Sequence, residues 1–350
     1  MPYKEQRGNR RRRMFAVFAV VAIGGAAGVG VRLAAAAEDP TTAQATVQTS
    51  TEPVHEHVTT TAEDYVRIQD APAVARAPRP GRNASRGTFT AQCGRNADGA
   101  HRNSDNFITS PGVSNAAHHT HDYVGNLSTD GNSTDQSLAA AGTTCRFGDK
   151  STYFWPVVRD IAATGDDADQ PGGGADGNLG KIIVPSSVSV QFRGNAQAKV
   201  VPMPRFLRII TGDAKTITNG PANSRAHWTC SGTTNRFSAT QYVLCPSGQL
   251  VQRVNDFPGC WNGTDLDSAN HRTHTTFADP TTGACPEGFK AIPQLRITLS
   301  YRVPPGNSYA VDSFPEQLRK ASTDDNDFEN VMPDRLMRVV ATMINRGVRF

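Results

Sequence analysis

Apolar and polar residues alternate along two long stretches of this chain. Val188-Ser189-Val190-Gln191-Phe192 and Leu295-Arg296-Ile297-Thr298-Leu299-Ser300-Tyr301 each place every second side chain on an apolar face, which is the period of a half-buried strand. Val200-Val201, Phe206 to Ile210 and Leu250 to Val254 are shorter apolar runs and predict further strands. Gly, Pro and Asn punctuate the intervals, so the pattern predicts a mainly β, sandwich or jelly-roll-like body with long loops. The period changes once: Leu336, Val339, Val340, Met343 and Ile344 form a single helical stripe. This predicts a C-terminal amphipathic α-helix packed on the sheet, opened by Pro333 and stopped by Gly347.

Upstream the pattern fades. Residues 38–87 are rich in Thr, Ala, Pro and Arg without sustained periodicity. Such a stretch buries too little apolar surface to offset its ordering entropy, which predicts a disordered linker. His55 and His57 fall within it and read as solvated. The folded domain is then 88–350, long enough for one sizeable core. Residues 1–37 read as a signal peptide or N-terminal membrane anchor. Lys4, Arg7 and Arg10 to Arg13 precede the uncharged run Met14 to Val31, and Ala34 to Ala37 offer small-residue cleavage positions. Arg12-Arg13-Met14-Phe15 resembles a twin-arginine core. Positive charge before the run places everything after Arg32 outside the cytoplasm, and any membrane contact is confined to this segment.

The leader also accounts for the charge. The chain carries a formal +4, whereas residues 1–37 hold seven Lys/Arg and one Glu. The remainder is slightly acidic, so nucleic acid is not an expected partner. All 6 cysteines lie beyond the leader; an even count in an extracytoplasmic chain predicts disulfide staples. We take the sequential pairing, Cys93–Cys145, Cys230–Cys245 and Cys260–Cys285, although the count alone permits many others.

Candidate chemistry is concentrated in two phrases. Of 9 histidines, five lie in His118-His119-Thr120-His121-Asp122-Tyr123-Val124-Gly125-Asn126 and in the stretch from Cys260 to His274. On a strand, His119 and His121 would project from one face. His271 and His274, three apart, share a face if helical. Such spacings recur in sites for first-row metals, which suggests a divalent transition metal on His119, His121 and His274. Asp122, Asp265 and Asp267 could supply a further ligand, a hydrogen-bond partner or a base. A catalytic group of His119, His121, Asp267, His271 and His274 is one expectation, and a metal-free catalytic or sugar-binding cleft is another. Histidines and aspartates that merely brace loops are the third. Trp261 is the candidate stacking platform for a sugar ring, with Asn126 and Asp122 as polar contacts. Neither a nucleophile elbow nor a nucleotide-binding glycine motif occurs. The Gly- and Asp-rich stretch Gly165 to Gly180 reads as a flexible surface loop.

These phrases resemble the DUF1996 family of secreted bacterial and fungal domains, over most of residues 88–345. Pro111-Gly112 followed by His119-x-His121-x-x-x-Gly125-Asn126 resembles its opening motif. Thr144-Cys145 with Asp149-x-Ser151-x-Tyr153-x-Trp155-Pro156 is similar to its second. Phe257-Pro258-x-Cys260-Trp261-x-Gly263-x-x-Leu266-Asp267-Ser268-x-x-His271-Arg272-x-His274 is the longest. Cys285-Pro286 through Pro293 and Asp327-Phe328-x-Asn330 follow. The chain departs at Asp325, where relatives tend to show His, at Phe289-Lys290 in place of His-Pro, and at Met343 and Ile344, near an absent cysteine. The resemblance implies no established activity. The carbohydrate-binding modules joined to fungal members imply work at glycans or cell walls, either as an enzyme on cell-wall or environmental polysaccharide or as a non-catalytic glycan-binding or structural envelope module. The sequence leaves the oligomeric state open.

Overall fold

A computed structural model describes residues 60–350; the leader, the first half of the expected linker, His55 and His57 lie outside the described residues. Two antiparallel five-stranded sheets dominate. The first runs Arg102–Asn103, His121–Gly125, Thr152–Pro156, Asp325–Glu329, Arg208–Gly212 in spatial order. The second runs Trp228–Cys230, Val251–Asp256, Gln294–Tyr301, Ser187–Arg193, Thr88–Ala91.

The sheets face one another across a shared core, as the alternation predicts for a sandwich. Val190, Phe192, Leu295, Ile297 and Leu299 from the second sheet meet Tyr153, Trp155, Ile209 and Phe328 from the first. Phe192 and Phe328 stand edge to face with ring centres 6.0 Å apart, an arrangement aromatic quadrupoles favour. The predicted strands at 188–192, 250–254 and 295–301 form. Val200-Val201 does not: it is irregular backbone between strands, and Phe206 adopts a left-handed φ of 69° before the strand begins at Arg208.

The first sheet is buried on both faces. Its outer face is roofed by Phe107, Ile108 and Leu138, which pack on Tyr123, Phe154 and Val331. This is why its strands read HDYVG, TYFWP and DNDFE with no apolar alternation.

The C-terminal helix is Asp334–Asn345, but its buried face is Met337, Val340, Ala341 and Ile344. The stripe is thus rotated from the predicted one: Val339 is exposed, and Leu336 and Met343 sit at its edges. Gly347, at φ 79°, closes the helix. Its N–H donates to the Ile344 carbonyl and that of Val348 to Met343, the paired bonds of a left-handed stop.

The three disulfides follow the sequential pairing. The linker expectation for 38–87 fails in its second half. Tyr65–Arg67 forms a parallel ladder with Tyr242–Leu244, Tyr65 and Ile68 are buried, and the Tyr65 hydroxyl donates to the Tyr309 carbonyl. With Ala71 also buried and Asp64 paired to Lys320, these contacts order a segment whose composition argued against it. The Gly165 to Gly180 stretch is also tied down. Arg159, fully buried, donates to both carboxylate oxygens of Asp167, to the Gly180 carbonyl and to Asp312. Among the described residues no helix is long and apolar enough to cross a membrane.

Candidate functional site

Strand register determines what meets what on the outer face of the first sheet. Asp325, Asp327 and Glu329 alternate with Asn326 and Phe328, so the three acids share a face. Asp325 pairs across to Gly212, and Glu329 to Arg208. The two ends of this strand are about 13 Å apart at ~3.3 Å per residue. Each end collects a different histidine cluster.

At the Asp325 end, His121 opens its strand and His119 lies in the bend before it. Both are buried. Their Nε2 atoms are 2.9 Å apart, and a carboxylate oxygen of Asp325 lies within 4.8 Å of the ring nitrogens. The His121 Nδ1 is 2.9 Å from the Asp105 carbonyl oxygen, which can only accept, so Nδ1 carries the proton. Burial pushes His121 down to about 4. Burial, then the neighbouring His121, pushes His119 well below its ordinary value. Both rings are therefore neutral at pH 7, and His121 turns its lone pair toward His119. The His119 Nδ1 and one Asp325 oxygen are buried with no hydrogen-bond partner, a cost that native interiors rarely leave uncompensated. Burial raises the Asp325 carboxyl well above its ordinary value, and the charges of Asp327 and Asp324 add to this. Burial likewise lifts Asp327 to about 7; the Asn106 amide donates to it at 3.0 Å.

His119, Asp325 and Asp327 line a cleft of about 410 Å³, together with Arg272, Lys215 and Asn219. Arg272 donates to the Gly212 carbonyl, the residue opposite Asp325. Lys215 sits over the Phe314 ring, 4.3 Å from its centre.

At the Glu329 end, His274 is buried with both ring nitrogens engaged, by the Ser268 hydroxyl at 3.0 Å and the Arg208 carbonyl at 2.7 Å. It is not placed among the metal donors. His271 is held by the Asp267 carboxylate at 2.9 Å, and Arg208 bonds Glu329 and Asp135 with Asp267 3.8 Å away. The structure thus keeps Asp267, His271 and His274 together in a hydrogen-bonded brace around Arg208 and apart from His119 and His121. Four imidazoles do not converge. The long Cys260–His274 phrase delivers Arg272 to the cleft instead of a histidine.

The expected substrate contacts are also placed elsewhere. Asn126 is fully buried and donates to the Leu138 and Lys150 carbonyls. Beside it Gly125, at φ 91°, has no room for a side chain, since a Cβ would lie 2.1 Å from the Ser151 oxygen. The Gly-Asn pair is the buried end of a strand, where Asn126 bridges to Thr143. Asp122 is buried against Arg102 at 2.6 Å and Asn96 at 2.9 Å. Trp261 is half-buried, its indole N–H closed onto the Asp265 carbonyl, and it does not line this cleft. The residues missed by sequence reasoning are Asp327, Arg272, Lys215 and Asn106. The one readable signal was the acid at every second position of Asp325-x-Asp327-x-Glu329, which on a strand gathers three carboxyls on one face.

Neither a curated protein nor a solved structure matches this chain. The family described as a domain of unknown function (DUF1996) matches residues 107–328, more than half of the chain and a span that holds both histidine phrases, Asp325 and Asp327, and this chain belongs to it.

Proposed function

We propose that this protein is an exported enzyme that hydrolyses cell-wall or environmental polysaccharide, with a divalent transition metal held by His119, His121 and Asp325. One observation carries the reading: two buried, neutral imidazoles face each other at 2.9 Å beside a carboxyl, at the wall of an open cleft. That spacing is close to the ~3.0 Å between neighbouring nitrogens each about 2.1 Å from one metal in an octahedral shell and somewhat below the ~3.4 Å of a tetrahedral one. Two histidines and one carboxylate leave coordination positions free for water and substrate. His121, fixed through its Nδ1 proton on Asp105, is already in the ligating tautomer. The metal would polarise the scissile group and lower the pKa of bound water. Asp327, poised near neutrality by burial, takes the proton from the attacking water and returns it to the leaving oxygen. Polysaccharide as the substrate class rests on the leader-like N-terminus and on the family resemblance.

Elemental analysis of untagged protein, followed by zinc and manganese titration, tests this. About one metal per chain is expected, lost in His121→Ala and in Asp325→Ala but kept in His274→Ala. Release of reducing ends from soluble wall polysaccharide should stop on chelation and in Asp327→Asn. Only traces of metal after reconstitution would overturn the metal centre. Metal binding unchanged in His121→Ala would do the same. Glycan binding that persists without cleavage would mark the chain as a binding module.

A further inference from the structure

A second, smaller cavity adjoins the cleft and has a different chemistry. It measures about 150 Å³ and is lined by Arg225, Arg272, Asn223, Thr275, Thr276 and Phe277, with Ile210, Thr211 and Gly212. The last three residues and Arg272 line the larger cleft as well, so the two spaces share a wall. No acidic side chain lines the smaller one.

Two guanidinium groups therefore face one space with no acid on its walls, and the acids that feel the charge of Arg272, Asp325 and Asp327, lie on the cleft side of the shared wall. Arg225 donates to the backbone carbonyls of Ala222 and Ser224, and Arg272 to that of Gly212. Among the described residues, neither has a carboxylate within ion-pairing distance. Asp256, whose backbone carbonyl accepts from Thr211, commits its carboxylate to Arg296 and Arg193. Like charges held together without an anion repel one another; burial, then the charge of Arg272, depresses Arg225 below its usual value. Phe277 holds Arg225 in place, with the guanidinium 4.9 Å from the ring centre. Thr275 is buried to 5% exposure, and its hydroxyl has no hydrogen-bond partner. A paired guanidinium site with a spare buried hydroxyl is a receptor for planar or tetrahedral oxyanions.

We propose that this cavity is an anion subsite that seats a carboxylate, sulfate or phosphate group carried by the substrate, so that the polymer acted on is an anionic glycan. Its size suits one such group: about 150 Å³ accommodates an oxyanion with a few waters. Arg272, common to both walls, places the sugar that bears the group in the cleft beside His119 and Asp325. The subsite deepens the hydrolase reading and rests on it for its role, while anion binding itself is measurable without any metal.

Calorimetric titration of the full chain at low salt with galacturonate, sulfate, inorganic phosphate and neutral galactose tests the inference. At least one anion should bind and galactose should not, and added sodium chloride should weaken the interaction. Arg225→Gln and Thr275→Val should each weaken anion binding, the former roughly tenfold or more, with zinc stoichiometry unchanged. Galacturonate as the tightest probe points to a uronate polymer, sulfate to a sulfated glycan, and phosphate to a phosphodiester-linked wall polymer. The subsite is overturned if no anion binds below about 10 mM, if galactose binds as well as galacturonate, or if both variants bind like the parent. Zinc binding without anion binding would sink the subsite and leave the hydrolase reading standing. Anion binding without metal would do the reverse.

Discussion

At the scale of single residues, the protein uses buried histidines in two opposite ways. His274 has both nitrogens engaged by fixed partners, so it can neither ligate nor transfer a proton without breaking its loop. Apart from their contact with each other, His119 and His121 have one fixed hydrogen bond, to the Asp105 carbonyl; their other ring neighbours are Asp325 and the aromatic rings of Phe314, Tyr123 and Phe154. Asp325 is also costly: burial and the adjacent acids raise its carboxyl, so the metal-free folded state holds a proton there that the unfolded chain has released. Stability from this group accordingly rises as pH falls from the raised value toward the ordinary one. Asp325→Asn should therefore raise the melting temperature of metal-free protein at pH 8, with an advantage that shrinks toward pH 4, while it abolishes metal binding. Melting curves across that range with and without chelator decide the matter. A variant less stable than the parent at pH 8 in the metal-free state would show that Asp325 is a structural carboxylate.

At the scale of elements, legibility followed solvent. The second sheet turns one face outward, so two of its strands announced themselves by alternation: Gln294 to Leu299 reads half-buried and buried in turn. The first sheet is covered on both faces, and polar residues needed for the site replace the apolar ones on its outer face. His121, Asp325 and Asp327 are therefore invisible to a periodicity argument, although the His-x-His spacing itself pointed to one of the two clusters. The helix was found but rotated, because Val339 continues the apolar pattern on a solvent-facing position. The segment Tyr65–Arg67 was missed because three residues in a Pro- and Ala-rich context give no period at all. Its importance lies in packing: the Tyr65 ring meets Tyr242 and Tyr309 at 5.4 and 5.6 Å between centres. Tyr65→Ala should cost about 3–5 kcal/mol, as aromatic truncations in cores do. A chain shortened to begin at Thr88 should lose at least as much. Denaturant titration of both would show it, and a loss below roughly 1 kcal/mol for Tyr65→Ala would mean that the segment lies on the body without supporting it.

At the scale of the whole molecule, each of two disulfides closes a loop over one half of the proposed site. Cys93–Cys145 spans 52 residues and contains Asp105, His119 and His121. Cys260–Cys285 spans 25 residues and contains Arg272, Thr275 and Phe277. Loop-closure entropy gives similar stabilities for the two, about 4 and about 3.5 kcal/mol, so a melting experiment alone would barely separate them. Function should separate them sharply. The pair Cys93→Ser with Cys145→Ser removes the covalent tether of the histidine limb, and it should weaken zinc binding more than anion binding. The pair Cys260→Ser with Cys285→Ser frees the arginine limb, and it should weaken anion binding while zinc affinity changes little. The two titrations on the two double variants, run below their melting temperatures, form a crossed test in which each variant controls for general destabilisation in the other. Equal losses of both ligands in both variants would mean that the limbs are not independent, and that the cleft forms only as the sandwich closes around it.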